Sequence, residues 1–274
     1  MNKPDISVIV VSTNEAAVLA SCLRTLFQNT AHFEVLVFNN ACTDETASLL
    51  ETEFKRDELI VIHQSIKKGF IENCNEGILK ARGRYILLLN PDTEVQKDTL
   101  LTMQKFMDSH PQVAVSTSRM KYLNKQIQWN CRRFPKLWTY FLRILHLDKV
   151  FPSLGAVQKY LMQDIDHQVT QPVDWFISAF FFMRKSVIEK IGILDPKLKQ
   201  PFYCEDLEWC YRAKREGFQN YFVAETEILH HYRQSSRKGI NFLTWVHLHN
   251  IGMFYLKHGW HMMFTGMTSR AKSP

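Results

Sequence analysis

The chain has 274 residues, 46% hydrophobic and 22% charged, enough apolar content for a sizeable core and too ordinary a balance for a disordered chain. Its 34 basic and 27 acidic residues leave a net charge of +7, which suits a polyphosphate or an anionic surface; no RNP, zinc-finger or basic-zipper pattern accompanies it, so no nucleic-acid partner is expected. The six cysteines form no CxxC pair, arguing for a reducing compartment and against a thiolate metal site. No apolar run approaches the roughly 18 residues of a spanning helix, so the expectation is a cytoplasmic chain, at most in peripheral contact with the inner face of the cell membrane.

Ile6 to Val11 is β-branched and apolar and predicts a central strand ending in the polar turn Ser12-Thr13-Asn14-Glu15. Leu19, Leu23, Leu26 and Phe27 then recur at helical spacing. A second strand, Glu34 to Phe38, closes at Asn39-Asn40-Ala41-Cys42-Thr43-Asp44; a helix over Glu45 to Phe54, a strand over Leu59 to Ile62 and a helix over Asn73 to Ala81 follow. Tyr85 to Leu89 is an unbroken apolar run, as in a strand buried on both faces. It stops at Asn90-Pro91-Asp92 because proline has no N–H for the ladder. Alternating strands and helices indicate an α/β chain with a Rossmann-like, doubly wound, mainly parallel sheet, in which ligands bind at the carboxyl ends of the strands. No Gly-x-Gly-x-x-Gly follows the first strand and no Walker loop exists, which weighs against dinucleotide oxidoreductases and P-loop phosphotransferases. The polar ends at Ser12-Thr13-Asn14, Asn39-Asn40 and Asn90-Pro91-Asp92 together make a nucleotide cleft, although turn chemistry explains any one of them alone.

A helix over Lys97 to Ser109 and a strand over Pro111 to Ser116 lead into a basic, aromatic region from Trp129 to Pro172. There Trp138, Phe141, Leu142 and Leu145 form one helical stripe, bordered by Arg132, Arg133, Lys136, Arg143 and Lys149; it serves either core packing or contact with a membrane or lipid-linked substrate. Val173 to Arg184 predicts a single strand. The later half of Phe202 to Arg212 predicts a helix with Glu205 and Asp206 in its first turn, where the helix dipole alone favours acids. Tyr221 to Val223 predicts a strand and His230 to Ser236 a polar loop. Phe242, Trp245, Val246, His249, Met253, Phe254, Leu256 and Trp260 give the tail a helical, aromatic character.

Taken together these segments resemble family 2 glycosyltransferases of the GT-A fold, especially the bacterial rhamnosyltransferase type. The carrying residues are Ser12-Thr13-Asn14-Glu15, Asn39 to Asp44, Gly69-Phe70 with Asn75-Glu76-Gly77, Leu89-Asn90-Pro91-Asp92-Thr93, Trp175 with Ser178-Ala179, Glu205-Asp206, and His230 with Ser235. The resemblance implies a GT-A domain over residues 1–236, with a nucleotide-binding half to about 117 and an acceptor-binding half from about 118. A C-terminal helical tail over 237–274 would lie on the acceptor side. It implies an inverting transfer of a sugar, such as the deoxyhexose rhamnose, from a dTDP- or UDP-sugar to a glycan or lipid-linked acceptor in cell-surface polysaccharide synthesis. Asp92 would bind a divalent cation, Mg2+ or Mn2+, with His230 completing the shell and Asn90 as a hydrogen-bonding neighbour. Asp206 would be the catalytic base, with Glu205 the runner-up, and Glu208 would stand behind them. Ser12, Asn14, Asn40, Asp44 and Gly69 would line the nucleotide site; Trp175, Ser178, Ala179 and Arg212 would line the acceptor side, Arg212 orienting the acids or pairing with them. Three positions depart from the pattern: Asn39 replaces Asp, Lys67 replaces Asn, and Ser178 replaces Gly. A nucleotidyltransferase would want a glycine- and lysine-rich loop after the first strand, which is missing. A non-catalytic sugar-nucleotide binding module is conceivable from Asn39, with Asp92, Asp206 and His230 against it.

Overall fold

A computed structural model describes residues 3–136, 154–198, 204–231 and 242–259; the stripe from Trp138 to Leu145, and Ser235 and Trp260, lie outside them. In chain order the elements begin β1 (Ile6–Ser12), α1 (Ala16–Leu26), β2 (Phe33–Asn40), α2 (Thr46–Thr52), β3 (Leu59–Gln64), α3 (Phe70–Lys80), β4 (Tyr85–Leu89), β5 (Thr93–Val95) and α4 (Thr99–Ser109). They continue with β6 (Val113–Lys121), β7 (Ile127–Gln128), β8 (Cys131–Arg132), α5 (Gly155–Tyr160), β9 (Gln171–Val173), β10 (Trp175–Phe176), β11 (Phe180–Arg184) and α6 (Lys185–Ile191). The last described elements are α7 (Glu205–Arg215), β12 (Gln219–His230) and α8 (Phe242–His258).

One sheet runs β3-β2-β1-β4-β11-β6-β12-β5. From β3 to β4 every pairing is parallel, with Val8 beside both Val35 and Leu87. β11 then inserts antiparallel between β4 and β6, β12 runs parallel to β6, and β5 lies antiparallel on β12. The period of two along β1 sends Val8 and Val10 to one face and Ile9 to the other. On the first face α1 places Leu19, Leu23 and Leu26, and α4 places Leu100, Met103 and Met107. On the opposite face α3 packs Ile71, Cys74 and Ile78, α7 packs Leu207 and Trp209, and α8 packs Phe254. α3 approaches β1 closely at Gly77: a Cβ there would meet Ile9 Cγ2 at 2.8 Å. The result is helix, sheet, helix, the layered solution expected of alternating strands and helices.

The structure corrects two sequence-based expectations and adds elements that were not expected. The predicted strand from Val173 to Arg184 is broken into β9, β10 and β11, because the pieces pair with different strands: β9 with β12, β10 with β8 in a separate two-stranded sheet, and β11 with β4 and β6. His230 is not in a loop: it is the last residue of the 12-residue β12, paired with Thr93 of β5. β5 itself, too short to show a period, was unpredicted, as was α6. Among the described residues, no helix is long and apolar enough to cross a membrane.

Candidate active site

The carboxyl ends of β1, β2 and β3 form one edge, and the predicted nucleotide residues gather there. Their polar atoms largely bind one another. Asn14, in the left-handed region at φ 56°, accepts the Thr43 N–H at 2.7 Å through Oδ1. Asn40 donates to Thr13 Oγ1 at 3.1 Å and to the Lys68 carbonyl at 3.0 Å, and accepts the Lys68 N–H at 2.8 Å. These amides lace together the loops after β1, after β2 and before α3, so Gly69 at the head of α3 is held beside the other two strand ends. Asp44 is turned inward: its carboxylate accepts the N–H groups of Ala16 and Thr46 and the Thr46 hydroxyl. Burial works against its charge, but those bonds hold it below the ordinary aspartate value. Its side chain therefore anchors the starts of α1 and α2. Ser12 Oγ is buried at the floor of this edge without a hydrogen-bond partner.

Beyond β4 the chain places Asp92 against the end of β12. Asp92 Oδ1 lies 3.3 Å from His230 Nε2, and the Asp92 carbonyl accepts the His231 N–H at 2.8 Å. The other ring nitrogen of His230, Nδ1, sits 2.9 Å from Gln128 Oε1. Read as Nδ1–H donating to that oxygen, the contact leaves the Nε2 lone pair facing the Asp92 carboxylate, the arrangement in which a histidine can ligate a metal. One carboxylate and one imidazole, with coordination left for phosphate and water, suit a hard divalent cation bound together with a diphosphate. No group of three His, Cys, Asp or Glu capable of holding a metal exists among the described residues, so a cation here would need its ligand's oxygens. The neighbouring His231 pairs with Glu94 at 2.8 Å instead.

The acid pair stands at the start of α7. Cys204, at φ 76°, turns the chain into the helix through the left-handed region, which costs a non-glycine residue roughly 1–2 kcal/mol. Glu205 Oε1 accepts the Ser178 hydroxyl at 3.2 Å, and Asp206 accepts the N–H groups of Leu207 and Ser178. Ser178 thus touches both acids, and its neighbour Ala179 accepts the Asn90 N–H at 3.0 Å. Through that contact the loop carrying Ser178 is fixed to the strand end carrying Asp92. Burial first, and then the Glu205 carboxylate, push Asp206 well above the ordinary aspartate range. The thiols of Cys74, Cys204 and Cys210 are buried, and burial followed by these same acids pushes them up as well, so they line the pair as neutral groups.

Trp175 is buried and its indole N–H donates to the Arg133 carbonyl at 2.9 Å. Of the three acids of this turn Arg212 pairs with Glu208, through Nε, and it also donates to the carbonyls of Ile191, Gly192 and Ile193. Its position one turn beyond Glu208 and the short loop after α6 draw it to that side of the helix. Gln128, which reaches this corner from a two-residue strand, carries no sequence signal.

The glycosyl transferase family 2 profile matches residues 7–192, from β1 through the Ser178–Ala179 loop to the end of α6. The chain belongs to glycosyl transferase family 2. This family 2 chain is 22% identical over 238 residues to the rhamnosyltransferase WbbL of Escherichia coli K12, covering 84% of each chain. It is 30% identical over 113 residues to a PGL/p-HBAD biosynthesis glycosyltransferase of Mycobacterium bovis, a match that spans 40% of this chain and only 44% of that relative. In fold it is similar to GalNAc-T7, solved with UDP, GalNAc and Mn2+, at a TM-score of 0.70 and 16% identity over 93% of this chain and 48% of that one. The fold of this family 2 chain is therefore GT-A.

Proposed function

We propose that this chain is a metal-dependent, inverting glycosyltransferase that moves a sugar from a nucleoside diphosphate donor to a hydroxyl of a glycan or lipid-linked glycan. The carrying observation is the pairing of a buried acid couple, Glu205 and Asp206, with the Asp92–His230 corner through the Ser178–Ala179 loop. Asp206 accepts the proton of the acceptor hydroxyl as that oxygen bonds to the anomeric carbon and the bond to the diphosphate oxygen breaks. Attack opposite the leaving group inverts the anomeric centre. A base raised by burial holds a proton strongly once it has taken it, which suits general-base work near neutral pH. A divalent cation, Mn2+ or Mg2+, held by Asp92 and His230 would neutralise the diphosphate as it leaves. Asn90, next to this corner, would bind donor oxygens with its side chain.

Several supports are coarser. WbbL is named a rhamnosyltransferase, which favours rhamnose from a dTDP donor here, with a UDP-sugar the next choice. Bacterial relatives named for teichuronic acid synthesis and for a polyprenyl-diphosphate-linked acceptor favour a cell-surface polysaccharide role at the inner face of the membrane. The exposed Trp245 and Leu256 of α8 offer apolar contacts for a peripheral position there.

The test incubates the purified protein with a panel of sugar nucleotides and lipid-linked acceptors, with and without Mn2+, and follows nucleoside diphosphate release. Metal-dependent release is expected. Asp206→Asn should abolish transfer and keep donor binding, whereas Asp92→Ala should lose metal-supported binding too. Full transfer by Asp206→Asn would overturn the assignment of the base.

A further inference from the structure

Asn39 ends β2 and lies in register with His63 near the end of β3. Asn39 Oδ1 accepts the backbone N–H of Cys42 at 3.1 Å. A backbone amide can only donate, so this contact fixes which end of the Asn39 side chain is oxygen. The atom 3.1 Å from His63 Nδ1 is then Nδ2, a donor. His63 Nδ1 must accept, and a neutral imidazole that accepts at Nδ1 carries its hydrogen on Nε2. Asn39 is buried and His63 is exposed, near the same strand-end edge as Ser12, Asn14 and Asn40, so Nε2–H is the ring N–H that Asn39 does not engage.

We propose that His63, held in this tautomer by Asn39, is a specificity-determining residue that donates Nε2–H to a keto oxygen of the donor's nucleobase. The inference rests on the nucleotide-sugar reading above and sharpens it. The diphosphate end of the donor belongs near Asp92, which follows β4. Adjacent strands lie about 4.8 Å apart, and β1 and β2 separate β4 from β3, so His63 stands about 14 Å along the strand ends. A nucleoside diphosphate lying across these ends brings its base, not its phosphates, to that position. An N–H there matches the 4-keto oxygen of uracil or thymine. It opposes the 4-amino group of cytosine, where two donors would meet. An aspartate at position 39 would accept rather than donate, and would leave the ring free to turn its other face to the ligand.

The test compares UDP with CDP, which differ on the base edge alone, by calorimetric titration of the full chain with Mn2+ present. UDP should bind about tenfold more tightly than CDP, the order expected for one gained hydrogen bond against one donor clash. His63→Phe keeps a ring and removes the N–H; it should bring the two affinities within about threefold, chiefly by weakening UDP. Side-chain nitrogen and carbon NMR shifts of His63 in the wild type should report the Nε2–H tautomer. Equal binding of UDP and CDP by the wild type, an unchanged ratio in His63→Phe, or an Nδ1–H tautomer would overturn the inference while leaving the transferase reading standing. If neither UDP nor CDP binds, this inference falls; if dTDP fails to bind as well, the nucleotide-sugar reading falls with it. Because His63 is exposed on an edge strand, the variant should fold, and His63→Gln provides a second, polar replacement.

Discussion

Glu208 lies three residues after Glu205, its side chain only 1% exposed, and Arg212, Lys257 and His258 converge on it. Arg212 Nε sits 3.0 and 2.9 Å from its two oxygens, Lys257 Nζ 2.7 Å and His258 Nε2 3.1 Å from Oε1. Lys257 and His258 belong to α8, so this carboxylate ties the C-terminal helix to the helix that begins with the acid pair. Burial alone would raise Glu208; the His258 hydrogen bond and the charges of Arg212 and Lys257 overcome it and hold the group at about 2, against an ordinary 4.5. A depression of that size is worth about 3 kcal/mol of folded-state stability at neutral pH. Glu208→Gln preserves the shape but removes the charge that Arg212 and Lys257 face, and since Lys257 is exposed and keeps Asp195 the loss is about 3 kcal/mol. The melting temperature at pH 7 should fall by roughly 10 °C. The group is depressed in the folded state, so its contribution is complete above the ordinary glutamate value and is lost as pH falls toward 2. Melts of both proteins between pH 7 and about pH 3 should therefore converge. Equal melting at pH 7, or a gap that does not narrow in acid, would refute the reasoning.

Asp206 carries the opposite sign. Its folded value is raised, so ionisation in the native state costs stability as pH rises past the ordinary aspartate range. Asp206→Asn should accordingly melt higher than the wild type at pH 7 to 8, with the difference vanishing near pH 3; a lower melting temperature at neutral pH would contradict the burial argument. At the other corner, Gln128→Met removes the oxygen that orients His230. Loss of such a partner typically weakens metal affinity 10- to 100-fold, readable as a shift in the Mn2+ concentration that supports UDP binding, measured apart from turnover.

Much of the first half of the fold was legible because it is made locally. Tyr85 to Leu89 is a strand with the predicted ends, since five apolar residues buried on both faces are cut off by Pro91. The helix of Leu19, Leu23 and Leu26 declares itself by period. β12 did not, because the polar run His230-His231 reads as loop when only Tyr221 to Val223 shows strand character, and the ladder shifts register between Val223 and Glu227. The residue types of the cleft were legible, and their present partners were not. That Asp44 turns to Ala16, or Arg212 to the carbonyls of residues 191–193, depends on loops meeting across 19 to 28 positions of sequence. At Ser178, the departure from glycine, the added hydroxyl supplies a hydrogen bond to Glu205, while the bond to Asp206 comes from the backbone N–H.

Strand direction explains why chemistry from such distant segments meets at one edge. β4 ends there at Leu89, and the chain runs on through Asn90 to Asp92. β11 is antiparallel to β4, with Phe180 beside Leu89, so its beginning, not its end, lies at that edge. The loop that precedes it, with Ser178 and Ala179, is therefore brought to Asn90. A parallel strand in that slot would have brought Arg184 there instead. β6 is antiparallel to β11 and β12 is parallel to β6, so β12 again ends at the ligand edge and delivers His230. Antiparallel β5 then starts at that edge with Thr93, directly after Asp92, and its pairing with His230 closes the corner. The two reversals in the second half of the sheet thus gather a loop, a strand start and a strand end around the carboxyl terminus of β4. Reversing either pairing would separate Asp92 from His230 or from the Ser178 loop without changing a single residue of the site.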